Sequence, residues 1–149
     1  MRFVTPRGIA GLGWGLPMAL GAKAAAPERP VFCLAGDGGF AHCWSEMETA
    51  RRMSLPVMLT ILNNEGLGYQ RDAEDVLFGD HTAACHFQPV DHAMIAKACG
   101  WRAARIEDPA DYRPALEDAL ASGEPTLLDV ISDFDAAPPI TMFEGRLGR

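Results

Sequence analysis

Nearly all-apolar runs alternate with amphipathic ones along this chain, and the alternation predicts its elements. Val31-Phe-Cys-Leu-Ala35 and Val57-Met-Leu-Thr-Ile-Leu62 are short hydrophobic runs bounded by turn residues, the pattern of strands buried on both faces. Trp101 to Ile106 and Thr126 to Ser132 read as two further strands. Between these runs the apolar spacing lengthens to that of a helix. Pro17 suits the first turn of a helix to about Ala25, and Phe40 to Met53 reads as one helical stretch. Asp91 caps a helix that runs to about Cys99 and closes at Gly100; Asp108-Pro109 opens another that reaches Ala121 and stops at Ser122-Gly123. Strands and helices taking turns in this way predict an α/β fold, a doubly wound parallel sheet with helices on both faces. Ligands of such sheets gather at the carboxyl ends of the strands.

Two stretches carry no such pattern. Gly68 to Pro89 is long and polar and reads as a lid-type loop, with Arg71, Asp72, Glu74 and Asp75 as solvated surface. The tail 136–149, with Pro138-Pro139 and two late glycines, has no core of its own. Residues 1–135 are therefore expected to form one domain and 136–149 an arm.

The chemistry lies where the first strand ends. Gly36-Asp37-Gly38-Gly39 is a turn at a predicted helix N-terminus, and such a turn points free backbone N–H groups at an anion. A carboxylate aimed at the same place repels a diphosphate unless a divalent cation bridges the two. Asp37 thus implies a metal as well as a phosphate. The neighbouring strand ends in Asn63-Asn64-Glu65-Gly66, which sets an amide oxygen at the same edge. Mg²⁺ takes an octahedron of oxygens and rarely draws all of them from protein. Asp37, the Asn64 side chain and the Gly66 carbonyl offer three; two diphosphate oxygens and a water complete the set. Gly36-x-Gly38-x-x-Ala41 also matches the dinucleotide fingerprint, but that motif needs an acid at the end of the second strand to hold a ribose, where this chain has Asn63-Asn64.

Gly-Asp-Gly followed, after residues 39–62, by Asn-Asn resembles the signature of the thiamine-diphosphate-dependent enzymes. Gly8 to Gly21 and the stretch from Pro109 through Asp129 to Pro139 are similar to the acetolactate synthase and 2-oxo-acid decarboxylase branch, so the resemblance covers nearly the whole chain as its C-terminal, diphosphate-binding domain. It implies thiamine diphosphate and Mg²⁺ as cofactors. Leu12 matches the apolar residue wedged under the bent cofactor, with Gly11 beside it, and Ala10 the residue whose carbonyl accepts from the pyrimidine amino group. Backbone contacts to the diphosphate are implied for Gly38, Gly39 and Phe40, following Gly36 and Asp37, and for the turn after Asn64 formed by Gly66, Leu67 and Gly68.

On the same resemblance, Gly68 to Pro89 covers the cofactor, Tyr69 and Gln70 line the substrate side, and the tail folds over the site. The implied activity is acetolactate synthase-like decarboxylation and carboligation of 2-oxo acids. The alternatives are a decarboxylase of the benzoylformate or indolepyruvate type, or an inactive cofactor-binding fragment. Tyr69 and Ala73 stand where acetolactate synthases often carry Met and Trp.

No stretch matches the pyrimidine-binding domain that supplies the activating glutamate in these enzymes, so none of these residues is a certain catalytic group. That domain is expected from the rest of a larger enzyme or from another chain, in a homo-oligomer. The leading strand of the diphosphate domain is also expected to be missing. Glu46 and Glu48 read as first-turn glutamates that favour the helix dipole.

The remaining features narrow the class. With 149 residues, 48% hydrophobic and 22% charged, the chain suits one globular domain. Its formal charge of −7, without a basic run, argues against nucleic acid as a partner. No run is long enough to span a membrane, and the start has no signal-peptide core. Cys33, Cys43, Cys85 and Cys99 form no C-x-x-C pair and read as free thiols in a reducing cytoplasm. Cys85-His86 with His81 and His92 matches no standard zinc spacing.

Overall fold

The computed structural model describes residues 2–5 and 11–136. Four parallel strands form one sheet in the order β1-β2-β4-β3, where β1 is Phe32–Gly36, β2 Met58–Asn63, β3 Arg102–Ile106 and β4 Thr126–Ile131. Gly36 pairs with Leu62 and Asn63 with Ile131, so β1, β2 and β4 end at one level. The loops that carry Asp37 and Asn64 leave the sheet side by side.

Successive residues of a strand face opposite sides, and the two sides are covered differently. Cys33, Leu59, Ile61 and Leu127 point into the main core. Against them pack Leu16 and Leu20 of α1 (Gly15–Ala25), Met47 and Ala50 of α3 (Glu46–Arg52) and Ala96 of α5 (His92–Ala98). On the opposite side α6 (Pro109–Ser122) lies over β2, β3 and β4, and the hydroxyls of its Tyr112 and of Thr60 meet at 3.1 Å. Helix α6 leaves β1 bare there: Phe32 and Leu34 are 54% and 66% exposed. The α/β fold with helices on both faces of a parallel sheet is present as the apolar pattern predicts.

The caps also agree. Asp91 Oδ1 accepts from the N–H of Met94, Asp108 Oδ1 from that of Ala110, and α6 stops at Gly123 in the left-handed conformation, φ 66°. Each side chain satisfies a backbone donor that the helix itself cannot.

Two expectations need correction. The single helix from Phe40 to Met53 is divided into α2 (Asp37–Ala41) and α3, joined by tight turns in which Cys43 donates to Phe40, Glu46 to Cys43 and Met47 to Trp44. The three-residue turns keep Phe40, Cys43, Met47 and Ala50 all buried, which is why the apolar spacing reads as unbroken. The expected loop Gly68 to Pro89 contains a helix, α4 (Gly68–Phe78), and a 3-10 turn at Ala83–Cys85. Helix α4 buries no residue: Tyr69, Ala73, Val76 and Leu77 recur at helical spacing, but the stripe is short, set among charged residues and covered by no core. It is held instead by a Gln70–Glu74 bond one turn apart at 2.8 Å, a bond from Thr82 N–H to Glu74 Oε2 at 2.7 Å, and a left-handed stop at Gly79. The expected tail arm lies outside the described residues, apart from Ala136.

Candidate functional site

Asp37 opens α2 and is 4% exposed. Its Oδ1 accepts from Gly38 N–H at 2.9 Å and its Oδ2 from Gly66 N–H at 3.2 Å, so the carboxylate ties the turn after β1 to the turn after β2. Burial pushes its pKa up from the ordinary value, and the N–H groups of Gly38 and Gly66 pull it part of the way back. Because α2 has five residues, it contributes free backbone N–H groups of its first turn more than a long helix dipole.

The Asn64 amide faces the Gly66 carbonyl oxygen at 3.0 Å and Asp37 Oδ1 at 3.2 Å. With its NH₂ turned inward, Asn64 donates to both, and the three groups close on themselves. With its oxygen inward, three oxygens converge, an arrangement that repels unless a cation sits among them. Ligands at right angles around Mg²⁺, each at about 2.1 Å, are about 3.0 Å apart. The Asn64 amide stands from each of the other two groups at the spacing of neighbouring ligands in such an octahedron.

The turn that carries Gly66 is tightly enclosed. Glu65 has φ 59°, a left-handed conformation unusual for a side chain of its kind. A Cβ on Gly66 would collide with Cys85 O and with the Phe134 ring, and one on Gly38 would collide with Leu67 and Phe87. Glycine is required at Gly66, where a backbone oxygen and a ring already occupy the space, whereas at Gly38 the neighbours are the end of the Leu67 side chain and the Phe87 ring. Leu67 N–H donates to Cys85 O at 2.8 Å and Phe87 N–H to Glu65 O at 2.7 Å, fastening the segment after α4 to the same turn.

The remaining expected residues are placed as follows. Leu12 is 55% exposed, its Cδ2 3.9 Å from a Cβ built on Gly39, so it lies beside the start of α2. Phe40 is buried, stacked edge-on against Trp44 and His92. Gly68 begins α4 beside the Asn64 amide. Tyr69 is 61% exposed, while Gln70 is engaged with Glu74. Gly11 is exposed, and Ala10 lies outside the described residues. Glu48 pairs with Arg52 on the surface.

Several residues at the site are not evident from the sequence. The two asparagines divide: Asn63, the last residue of β2, points inward, donating to Asp129 Oδ1 at 3.0 Å and to Val90 O at 3.1 Å, while Asn64 faces Asp37. Asp129 is fully buried and its Oδ2 accepts from His92 N–H at 3.0 Å. Burial lowers the pKa of His92. His92 and Trp44 line a cavity of about 370 Å³ with Asp37, Asn63, His86 and Phe87. The alternation of strand side chains is the signal that could have shown Asn63 pointing inward. Among the other histidines, His81 Nδ1 meets Asp75 Oδ1 at 2.8 Å and its Nε2 meets His86 Nε2 at 2.9 Å. All four cysteines are unpaired. No helix of the described residues is long and apolar enough to cross a membrane.

Residues 1–130 match the family described as thiamine pyrophosphate enzyme, C-terminal TPP binding domain. The chain belongs to this family. It is 34% identical over 136 residues to a "Probable acetolactate synthase large subunit" of Methanococcus aeolicus, covering 91% of this chain and 23% of that protein. It is 33% identical over 132 residues to the acetolactate synthase isozyme 2 large subunit of Escherichia coli, covering 88% and 24%. Among solved structures, a thiamine diphosphate-dependent 4-hydroxybenzoylformate decarboxylase of Rhodococcus jostii superposes with a TM-score of 0.79 at 33% identity, over 85% of this chain and 24% of that one. The chain spans about a quarter of the length of the curated relatives it matches.

Proposed function

We propose that this chain is the thiamine diphosphate- and Mg²⁺-binding part of a larger acetolactate synthase-like enzyme acting on 2-oxo acids. The observation that carries the reading is the convergence of Asp37 Oδ1, the Asn64 amide and the Gly66 carbonyl at 3.0–3.2 Å beside the first turn of α2. Asp37, Asn64 and Gly66 hold the ion, and the backbone of Gly38, Gly39 and Phe40, with that of the turn from Gly66 to Gly68, lies against the diphosphate. Leu12 and Gly11, with Ala10, support the cofactor's rings. When bound, thiamine diphosphate supplies a carbon nucleophile that adds to the carbonyl of a 2-oxo acid and stores the electron pair left as CO₂ departs. Tyr69 and Gln70 face the substrate side. The activating glutamate comes from a pyrimidine-binding domain elsewhere in the enzyme or on another chain.

A second reading, a 2-oxo-acid decarboxylase, is favoured by Tyr69 and Ala73, which depart from the Met and Trp of acetolactate synthases. Calorimetric titration with thiamine diphosphate, with and without Mg²⁺, on this chain alone and with a pyrimidine-binding domain added, tests the cofactor assignment. Affinity that requires Mg²⁺ supports it; no Mg²⁺-dependent affinity in either setting overturns it. In the reconstituted enzyme, acetolactate as product from pyruvate supports the synthase and free aldehyde the decarboxylase. Tyr69→Met should raise the acetolactate share, and an unchanged ratio removes Tyr69 from that role.

A further inference from the structure

Asp129 is 0% exposed, the deepest acid among the described residues, and stands on β4 between β2 and β3. A carboxylate is kept wholly out of water only where hydrogen bonds and charge compensate it. An apolar side chain in this central strand would bring no such cost. The compensation of Asp129 is specific. Its Oδ1 accepts from Asn63 Nδ2 at 3.0 Å and its Oδ2 from the His92 N–H at 3.0 Å, while Arg105 Nη1 stands 3.8 Å from Oδ2.

Each oxygen leads to one wall of the site. Asn63 ends β2, and its Nδ2 also donates to Val90 O at 3.1 Å, so both hydrogens of its amide are used. The next residue is Asn64, whose amide faces Asp37 Oδ1 and the Gly66 carbonyl. On the other side His92 opens α5, and its ring meets that of Phe40 edge-on, with centroids 5.6 Å apart. Phe40 is 1% exposed and lies in the helix that Asp37 begins. His92 Nδ1 has no hydrogen-bond partner among the described residues, so on that side the ring serves Phe40 by its shape. One carboxylate thus stands behind both the turn after β1 and the turn after β2.

We propose that Asp129 is a positioning residue for the site: through Asn63 it fixes the turn that carries Asn64 and Gly66, and through His92 the turn that carries Asp37 to Phe40. The inference rests on the cofactor site proposed above. Only a carboxylate offers an acceptor to both arms. An asparagine in its place would turn its NH₂ toward the His92 N–H or toward the Asn63 NH₂. If Asn63 turned over to accept from it, the bond to Val90 O would be lost.

The test uses the 149-residue chain, with amide hydrogen exchange at Gly38 and Gly66 measured without ligand and Mg²⁺-dependent affinity for thiamine diphosphate measured by calorimetry. Asp129→Asn should speed exchange at both amides and weaken the affinity by about 10- to 100-fold, as loss of a group that orients a ligand does. His92→Ala keeps the backbone donor to Asp129 and removes only the ring. It should speed exchange at Gly38 and spare Gly66, and His92→Phe should restore Gly38. Leu128→Ala, on the α6 side of the same strand, controls for stability alone, the variants being compared at equal loss of stability. The proposal is overturned if Leu128→Ala matches Asp129→Asn in exchange and affinity, or if Asp129→Asn leaves either readout unchanged. If Asp129→Asn does not fold, the His92 variants decide: unchanged exchange at Gly38 in His92→Ala overturns the proposal. If the unaltered chain shows no Mg²⁺-dependent affinity, the cofactor reading fails, and exchange alone then decides whether Asp129 holds the two turns.

Discussion

Asp37 and Asn64 are adjacent in space because β1 and β2 pair in register, and they have different tasks from Leu12, which lies beside the same turn without reaching its oxygens. A carboxylate that is 4% exposed has little water to compensate its charge, so a cation at this point gains much from it and loses much without it. Asp37→Ala should abolish Mg²⁺-dependent affinity for thiamine diphosphate. Asn64→Ala removes one hard oxygen ligand and should weaken it about 10-fold or more. Leu12→Ala should leave the affinity nearly intact while lowering turnover in the reconstituted enzyme. Titration of the three variants checks this division, and equal losses of affinity in Leu12→Ala and Asp37→Ala would contradict it. At this scale the sequence was most legible for Asp37 and Asn64, whose residue types make little sense without an ion. It was silent on Phe134 and Arg71, which come from distant parts of the chain and have an ordinary look in both places.

Strand β1 is the element under most constraint on one side and least on the other. Its Cys33 faces the core, in contact distance of Gly15 in α1, and burial followed by the nearby Cys43 pushes its thiol pKa up to about 11 from 9.0. A thiol with a raised folded-state pKa stabilises the fold fully at pH values below the unfolded value. Between pH 9.0 and about 11 the unfolded chain loses its proton while the folded one keeps it, so that contribution is lost as pH rises through the window. The loss is about 1.4 kcal/mol per unit of pH at most. Denaturant unfolding at a series of pH values should show the decline, and Cys33→Ala should flatten it; an equal slope in the variant would remove Cys33 as the cause. Helix α4 is the opposite case. It buries nothing, and its short apolar stripe lies among charged residues, yet it carries Arg71, Glu74 and Asp75 into contacts that shape the site's cover.

At the scale of the whole molecule, Phe32, Leu34 and Leu62 stand together on the sheet face that α6 does not reach, 54%, 66% and 43% exposed. Strand β1 is also a sheet edge. An apolar face beside unpaired backbone groups seeks cover. The 149-residue chain should therefore self-associate, and Leu34→Lys should shift it toward monomer, as light scattering after size exclusion would measure. On the proposed function, in which the activating glutamate comes from a pyrimidine-binding domain, it should also turn over no 2-oxo acid by itself. A monomer that releases CO₂ from pyruvate would refute this picture.

The sequence by itself determined the four strands, the caps at Asp91, Asp108 and Gly123, the parallel α/β class and the pairing of Gly36-Asp37-Gly38 with Asn63-Asn64, because each is written in local spacing or in residue types with few alternative uses. Only the tertiary structure decided that Asn63 turns to Asp129, that the helical stretch after Asp37 breaks, and that a polar stretch folds as α4. These depend on which groups meet: a buried carboxylate on β4, tight turns that preserve an apolar register, and side-chain bonds that hold a helix with no buried face. Periodicity reports burial along one segment, and it carries no record of the partner across the fold.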